Sequence, residues 1–168
     1  MSDLPITLAD SFEQVFRERE ADVLRTAYRI LGNWADAEDV AQETFIRLHK
    51  HGLRFPNDIA LKCWLYRVAV NLCLDRTRSR RRFEEVPETI ACSTSVEADA
   101  IRDEQRQTLM AALATLPPKE RAAVVLREIE ELSTAEVAEI LGSTDGTIRS
   151  QVAKAIAKLR STLLGARQ

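Results

Sequence analysis

Glycine, proline and aromatic residues are scarce in this chain. Its 168 residues include five glycines and five prolines, and aromatic side chains make up 5% of the total. Strands joined by tight turns need β-branched and aromatic runs separated by turn residues, and that pattern is thin here. Leu, Ala, Arg and Glu dominate instead. The composition therefore predicts an all-α fold.

Cysteines and long apolar runs are also few. Cys63, Cys73 and Cys92 show no CxxC spacing, and one of the three must stay unpaired, so we expect reduced thiols. No apolar run approaches the roughly 18 residues that span a bilayer. The first five residues lack the basic and apolar regions of a signal peptide. These features predict a cytoplasmic protein without membrane insertion.

Patterns typical of catalysis are missing as well. His49 and His51 lie two positions apart on a predicted helix, so they do not share a face. Neither joins a cysteine or carboxylate cluster at metal-ligand spacing. The chain also has no glycine-rich phosphate loop. We expect a protein that is not an enzyme and that needs no metal and no cofactor.

Charge divides the chain into blocks. Residues 76–82 carry five basic groups and no acidic one, whereas residues 83–115 carry two basic and seven acidic groups. Residues 83–96 combine acidic side chains with small polar ones, one proline and little periodicity, which is typical of a flexible linker. The sequence therefore predicts two small helical domains, at residues 1–82 and 97–168, joined by a linker at residues 83–96.

Three helices are predicted in the first domain, at about residues 9–31, 34–50 and 59–80. The second has an apolar face and, opposite it, a face that we call the acidic face: Asp36, Glu38, Asp39, Gln42 and Glu43. Such a face is either the solvated side of an amphipathic helix or a docking surface for a basic partner helix. Periodicity leaves both readings open.

The third helix interleaves aromatic and basic side chains. Trp64 and Tyr66 precede a polar set that runs into the arginine-rich end: Arg67, Asn71, Asp75, Arg76 and Arg78. This mixture suits single-stranded nucleic acid, whose bases stack on rings while cations follow the backbone. The alternative, core aromatics beside solvated arginines, stays open at this point.

A helix-turn-helix is predicted near the end of the chain. Pro117-Pro118 opens one helix, since proline is tolerated in the first turn. Ser133-Thr-Ala-Glu136 fits a capping box, the short helix behind it stops at Gly142, and Thr144 or Asp145 caps the last helix. A helix, a tight turn with glycine and another helix are the spacing of this motif.

The last helix differs sharply in charge from what precedes it. Residues 116–145 carry three basic and seven acidic groups, whereas residues 146–168 carry five basic groups and no acidic one. Its outer face and flank hold side chains that can donate hydrogen bonds to phosphates or base edges: Thr147, Arg149, Ser150, Gln151, Lys154 and Lys158. Lysines near a helix C-terminus also favour the helix dipole, but this does not explain the acidic helix before it. The sequence favours DNA binding here.

Three motifs resemble one family, the bacterial RNA polymerase sigma factors of the extracytoplasmic-function group within the sigma-70 family. Asp36-Ala-Glu-Asp-Val-Ala-Gln-Glu-Thr-Phe45 is similar to the family's polymerase-docking helix. Trp64-Leu-Tyr-Arg-Val-Ala-Val-Asn71 resembles its segment for melting and reading the −10 element. Three further stretches of the chain resemble parts of the family's −35-reading domain: Leu116-Pro-Pro-Lys-Glu-Arg121, Leu132-Ser-Thr-Ala-Glu-Val-Ala-Glu-Ile-Leu-Gly142 and Gly146-Thr-Ile-Arg-Ser150.

The resemblance implies roles for the candidate residues. The acidic face would bind core RNA polymerase. The loop at Arg54-Phe55 would receive a base flipped from the non-template strand, near the polar set of the third helix. Arg149, Ser150 and Lys154 would contact duplex −35 DNA, and Gln151 stands where an arginine is common in the family. An anti-sigma factor is a further candidate partner. The alternative is a stand-alone helix-turn-helix regulator that binds its operator tightly without polymerase.

Overall fold

The computed structural model describes residues 12–82 and 100–165, all of them in helices and the turns between helices. The predicted linker at residues 83–96 lies outside the described residues, as do the first three residues of the first predicted helix. The all-α prediction is confirmed. Within the described part of the chain, no helix is both long enough and apolar enough to cross a membrane.

The first half is a three-helix bundle made of α1 (Phe12–Leu31), α2 (Trp34–His51) and α3 (Asp58–Arg82). Gly32, with a φ of 73°, lets the chain reverse after α1. The Asn33 side chain then caps α2 by accepting a 3.1 Å hydrogen bond from the Asp36 N–H. In the same way the Asn57 side chain accepts from the Ala60 N–H at the start of α3. The apolar faces of the three helices meet in one core.

The second half contains α4 (Ala100–Ala114), α5 (Pro118–Val124), a π-helical turn (Val125–Ile129), α6 (Thr134–Leu141) and α7 (Asp145–Gly165). The predicted capping box is present, because Ser133 and Glu136 each accept from the other's backbone N–H. Gly142 ends α6 in the left-handed conformation, with a φ of 62°. Thr144 caps α7 by accepting from the Thr147 N–H. The predicted helix-turn-helix is therefore formed.

The two halves pack directly against each other. One cluster of buried apolar side chains runs from the three-helix bundle into the second half, where Leu126, Val137 and Ile148 belong to it. A second, smaller cluster joins α4 and α5 to α7. The sequence predicted two domains on a tether, and it did not predict that they share a core.

Two buried proton donors of the first half predict sensitivity to alkali. Burial raises the pKa of the Cys73 thiol from 9.0 to about 12. Burial, followed by the hydrogen bond to Glu130, raises the pKa of Tyr66 above its ordinary 10.0. Both groups hold their protons more tightly in the folded chain, so their contribution to the free energy of unfolding is complete below about pH 9 and is lost as the pH rises. We expect the urea midpoint, followed by circular dichroism, to be lower at about pH 10.5 than at about pH 8. The difference should be smaller in Cys73→Ala. Equal midpoints at the two pH values would contradict this.

Candidate polymerase and nucleic-acid interfaces

The acidic face of α2 is open along most of its length. Glu38, Asp39 and Gln42 are exposed, and the Asp39 side chain retains 61% of its accessible surface. Glu43 is half-buried and accepts from Arg47 Nε at 3.0 Å, one turn further along the helix. Such a pair on a helix surface contributes only about 0.3–0.5 kcal/mol, so a partner can displace it cheaply.

Asp36 differs from the other members of the acidic face. Its side chain retains 19% of its surface and forms ion pairs with Arg76, at 3.3 Å, and with Arg80. The cause is its place in the first turn of α2, beside the C-terminal part of α3. Arg76 also approaches Asp39, at 3.6 Å. Asp36 therefore ties α2 to α3, and the accessible acidic face begins at Glu38.

An apolar groove continues the acidic face toward the C-terminus of α2. Its volume is about 410 Å³, and its lining includes Gln42 of the acidic face and the exposed Ile46. Phenylalanine rings of α1 and α2 also line it: Phe12, Phe16 and Phe45. A helix lying along α2 would meet carboxylates first and then this groove.

The candidate −10 residues fall into two groups on α3. Arg67, Asn71, Asp75 and Arg78 follow one another at steps of four and three, so they form one row along the helix. Asn71 is exposed, and Arg78 is paired with Asp75 at 2.7 Å. Arg76 lies on another side of the helix. There it forms ion pairs with Asp36 and Asp39 of α2.

The Arg54-Phe55 loop places its two side chains differently. Arg54 is exposed, whereas Phe55 retains 7% of its surface. The Phe55 ring stacks on His51, with ring centres 5.3 Å apart, and meets Trp64 edge to face at 5.9 Å. The resemblance implied that Phe55 helps to receive a flipped base. The structure packs its ring in the core, so Arg54 is the accessible member of the pair.

The outer face of α7 is open where the sequence placed it. Ile148, Val152 and Ala155 are buried on the inner side. The outer side presents the exposed Thr147, Arg149, Ser150 and Lys154, with Gln151 half-buried beside them. Arg149 and Lys154 form no ion pair with any residue that the structure describes. Both cations are therefore free to meet phosphates or bases.

Lys158 is engaged elsewhere. Its Nζ donates to Glu120 at 2.8 Å, and the Glu120 side chain retains 16% of its surface. A pair that includes so sheltered a carboxylate is costlier to break than an open surface pair. Lys158 therefore links α7 to α5, and Arg149 and Lys154 are the main cations of the outer face.

Two polar contacts between the halves of the chain were not found from the sequence. Arg121 donates to the carbonyl oxygens of Ile30, Ala114 and Leu116, and burial, with Arg81 as a second cause, lowers its pKa. Glu130 accepts from three side chains of the first half. The bond from Arg121 to Ile30 and the bonds to Glu130 join residues far apart in the chain, and no local pattern marks them.

Comparison with known families matches both halves of the chain. Residues 15–83 match the family model of sigma-70 region 2, and residues 106–159 match that of sigma-70 region 4. The chain therefore belongs to the sigma-70 family of RNA polymerase sigma factors. Its relatives place it in the extracytoplasmic-function group of that family, and its function is to direct RNA polymerase to promoters.

Two relatives illustrate the likeness. The chain is 39% identical over 159 residues to the extracytoplasmic-function sigma factor SigE of Mycolicibacterium smegmatis, an alignment that covers 91% of the chain and 62% of SigE. It is 35% identical over 158 residues to SigM of Mycobacterium tuberculosis, covering 92% of the chain and 78% of SigM. The chain thus spans just under two thirds of the length of the first relative and more of the second.

Solved structures show the same arrangement of helices. The sigma factor RpoE of Bartonella quintana, solved with the anti-sigma factor NepR, matches with a TM-score of 0.75 at 23% identity, covering 92% of this chain and 97% of RpoE. CnrH, solved with the cytosolic domain of CnrY, matches with a TM-score of 0.68 at 26% identity, covering 94% of this chain and 89% of CnrH. These likenesses establish the two-part sigma-factor fold.

Proposed function

We propose that the three surfaces divide the work of promoter recognition. The acidic face from Glu38 to Glu43 binds core RNA polymerase, α3 with Arg54 binds single-stranded −10 DNA, and the outer face of α7 binds the duplex −35 element. The observation that carries this assignment is the separation of charge: exposed carboxylates on α2, and exposed cations on α7, whose one carboxylate is Asp145 at its first residue. In vitro transcription with purified core polymerase and a genomic promoter library tests it. The proposal predicts transcripts from a defined set of start sites that depend on the chain.

Polymerase binding rests on complementarity along α2. Carboxylates that are partly screened by weak local pairs attract a basic helix and fix its register. The neighbouring groove offers apolar area to the same partner, and burial of a bulky side chain there contributes about 1.5–3 kcal/mol. Charge supplies orientation and the groove supplies affinity.

Promoter opening needs no catalysis in this scheme. Unpairing is driven by capture of unstacked bases and their phosphates on α3, without hydrolysis of ATP. We therefore assign no catalytic residue, no metal and no cofactor to the chain. The C-terminal half adds duplex contacts upstream, and two weak contacts on one chain reinforce each other through effective concentration.

An anti-sigma factor is proposed as a further partner. RpoE, whose fold this chain shares, was solved with the anti-sigma factor NepR, and CnrH was solved with the cytosolic domain of CnrY. Such a partner would control access to the polymerase surface and to DNA. Co-purification of a protein that blocks transcription by the chain would support this assignment.

Lys154 should act as a phosphate contact. We expect Lys154→Ala to weaken binding to −35 duplexes about equally for all sequences and to reduce the slope of log affinity against log salt by about one unit. Fluorescence anisotropy of the full chain over a salt series measures both quantities. Lys50→Ala, at an exposed position of α2, is the matched control and should leave the slope unchanged. An unaltered slope in Lys154→Ala would show that the lysine does not meet a phosphate.

A further inference from the structure

Trp34 is one of the few large apolar side chains that the described part of the chain leaves exposed. It is the first residue of α2 and retains 40% of its accessible surface. A ring of this size usually finds cover within a fold, because its burial is stabilising. None of the three surfaces assigned above includes it.

The Tyr28 ring holds this indole in place. The two rings stack with their centres 3.8 Å apart and their planes 7° apart. Tyr28 is half-buried and packs against both apolar clusters, so the base of the stack is fixed. A parallel stack covers one face of the indole, and the surface that remains open belongs to the other face and the ring edge. Trp34 therefore presents a ring face to solvent in a fixed orientation.

Glu38 lies one turn after Trp34 on the same side of α2, at a distance of about 5–6 Å between Cβ atoms. Its side chain is exposed. The arginines near the end of α3 pair with Asp36 and Asp39 instead, and Glu38 forms no ion pair with any residue that the structure describes. An open indole face and an unpaired carboxylate thus lie side by side.

This pair of groups suits one kind of ligand, a guanidinium group. Cations are attracted to the face of an aromatic ring, most strongly to tryptophan, and the cation is more often arginine than lysine. A guanidinium group is planar, so it can stack on an indole while its N–H groups donate to a carboxylate. Among the described residues the cation–π contact is that of Lys62 with Tyr66, which leaves the ring face of Trp34 without a cation from its own chain.

Trp34 and Glu38 also begin a ridge that leads to the apolar groove. Trp34, Glu38, Gln42 and Ile46 follow one another at steps of four, and Gln42 and Ile46 line the groove. Ridges of this spacing fit between the side chains of a second helix that crosses them. A partner helix on α2 would therefore meet the indole at one end of the ridge and the groove at the other.

We propose that Trp34 and Glu38 together bind one arginine of the basic polymerase helix that docks along α2. The inference rests on the proposed function, since it adds an aromatic contact to the N-terminal end of the acidic face. Tryptophan and arginine are the side chains that most often dominate the binding energy of interfaces. The stack on Tyr28 orders the indole before binding, which lowers the entropy cost of the contact. We call this pair of residues the arginine site.

Fluorination of the indole separates an arginine contact from simple burial of the ring. Fluorine withdraws electron density from the ring face and leaves the shape of the ring nearly unchanged, so it weakens the attraction for a cation. Trp34 is replaced, in the full chain, by analogues that carry progressively more fluorine. We expect the Kd for core polymerase, measured by fluorescence anisotropy without DNA, to rise in steps to a total of about 3- to 30-fold.

Trp64 provides the matched control for this series. Its ring packs against Phe55 and His51, away from α2's acidic face, so the same analogues at Trp64 should leave the Kd for core polymerase unchanged. Simple burial of the Trp34 ring would give a constant or falling Kd as fluorine is added, because fluorine makes the ring more apolar. That result at Trp34 would overturn the proposal.

A double-mutant cycle tests whether both groups bind the same arginine. Trp34→Leu keeps an apolar side chain without a ring face, and Glu38→Gln keeps the shape without the charge. Each should weaken polymerase binding, and the double variant should lose less than the product of the two single losses, because both remove contacts to one partner group. Glu104→Gln, at an exposed position of α4, is the comparison and should combine with Trp34→Leu without coupling. Uncoupled effects of Trp34→Leu and Glu38→Gln would overturn the shared site; if Trp34→Leu does not fold, the fluorinated series decides.

A charge reversal elsewhere on α2 separates failure of the arginine site from failure of the proposed function. Asp39→Arg with Glu43→Arg alters the acidic face and leaves the arginine site in place. Loss of polymerase binding in that variant, together with a constant Kd across the fluorinated series, would overturn the arginine site alone. Normal binding by that variant would refute the acidic face as the polymerase surface, and the arginine site with it.

Discussion

Asp39→Arg combined with Glu43→Arg should abolish binding to core RNA polymerase and leave the fold intact. Both side chains lie on the open part of the acidic face, and neither has a buried partner. Replacing two carboxylates by guanidinium groups turns attraction for a basic helix into repulsion, and like charges facing each other cost several kcal/mol at an interface. We expect a loss of affinity of at least about 100-fold, which corresponds to about 2.7 kcal/mol.

Polymerase pull-down and a fluorescence binding curve measure this effect. Glu104→Arg with Glu128→Arg is the charge-matched control, since both side chains are exposed in the second half. The control should bind as the unaltered chain does. Near-normal binding by the α2 double variant, with an unchanged thermal midpoint, would remove the acidic face from the polymerase interface.

Arg149→Ala should have the second largest effect, on −35 recognition. Arg149 is exposed near the N-terminus of α7, the end of a recognition helix that reaches base edges. A guanidinium that contacts a guanine through two hydrogen bonds contributes about 1–3 kcal/mol, so affinity should fall by about 5- to 150-fold. The loss should be largest on the preferred duplex and should relax specificity at one base position.

A duplex library in which each −35 position is varied in turn measures that relaxation. Lys154→Ala serves as the comparison, because a phosphate contact weakens binding without changing the preferred base. Uniform weakening by Arg149→Ala across the library would reassign this arginine to the backbone.

Local signals predicted most of the helices and their ends. Asn33, Ser133 and Gly142 mark helix boundaries through hydrogen bonds or backbone conformations confined to a few neighbouring residues. The division of α2 and α7 into inner and outer faces followed from helical periodicity for the same reason. α4 was missed, since it lies just beyond a stretch without clear periodicity.

Long-range contacts could not be predicted in this way. The pairing of Asp36 with Arg76, the burial of Phe55 and the bond from Lys158 to Glu120 all depend on how helices cross in space. On an isolated helix, a charged side chain looks equally exposed whether it is free in the folded chain or contacts a residue from a distant part of the sequence. The sequence therefore assigned each candidate surface to a helix that the structure contains, but it overestimated how many of the charged and aromatic side chains on those helices are accessible.

The π-helical turn has a consequence for insertions and deletions. It holds one residue more per turn than an α-helix, and each residue of an α-helix advances the direction of a side chain by about 100°. Deleting a single residue between Val125 and Ile129 would restore regular winding and swing the carboxylate that follows by about that angle. Thr26, whose hydroxyl donates a hydrogen bond to that carboxylate, lies 104 positions earlier in the chain. The number of residues in this turn of the second half thus sets the position of the Glu130 carboxylate relative to a hydroxyl of the first half. A change of length in the turn would disturb contacts between the two halves.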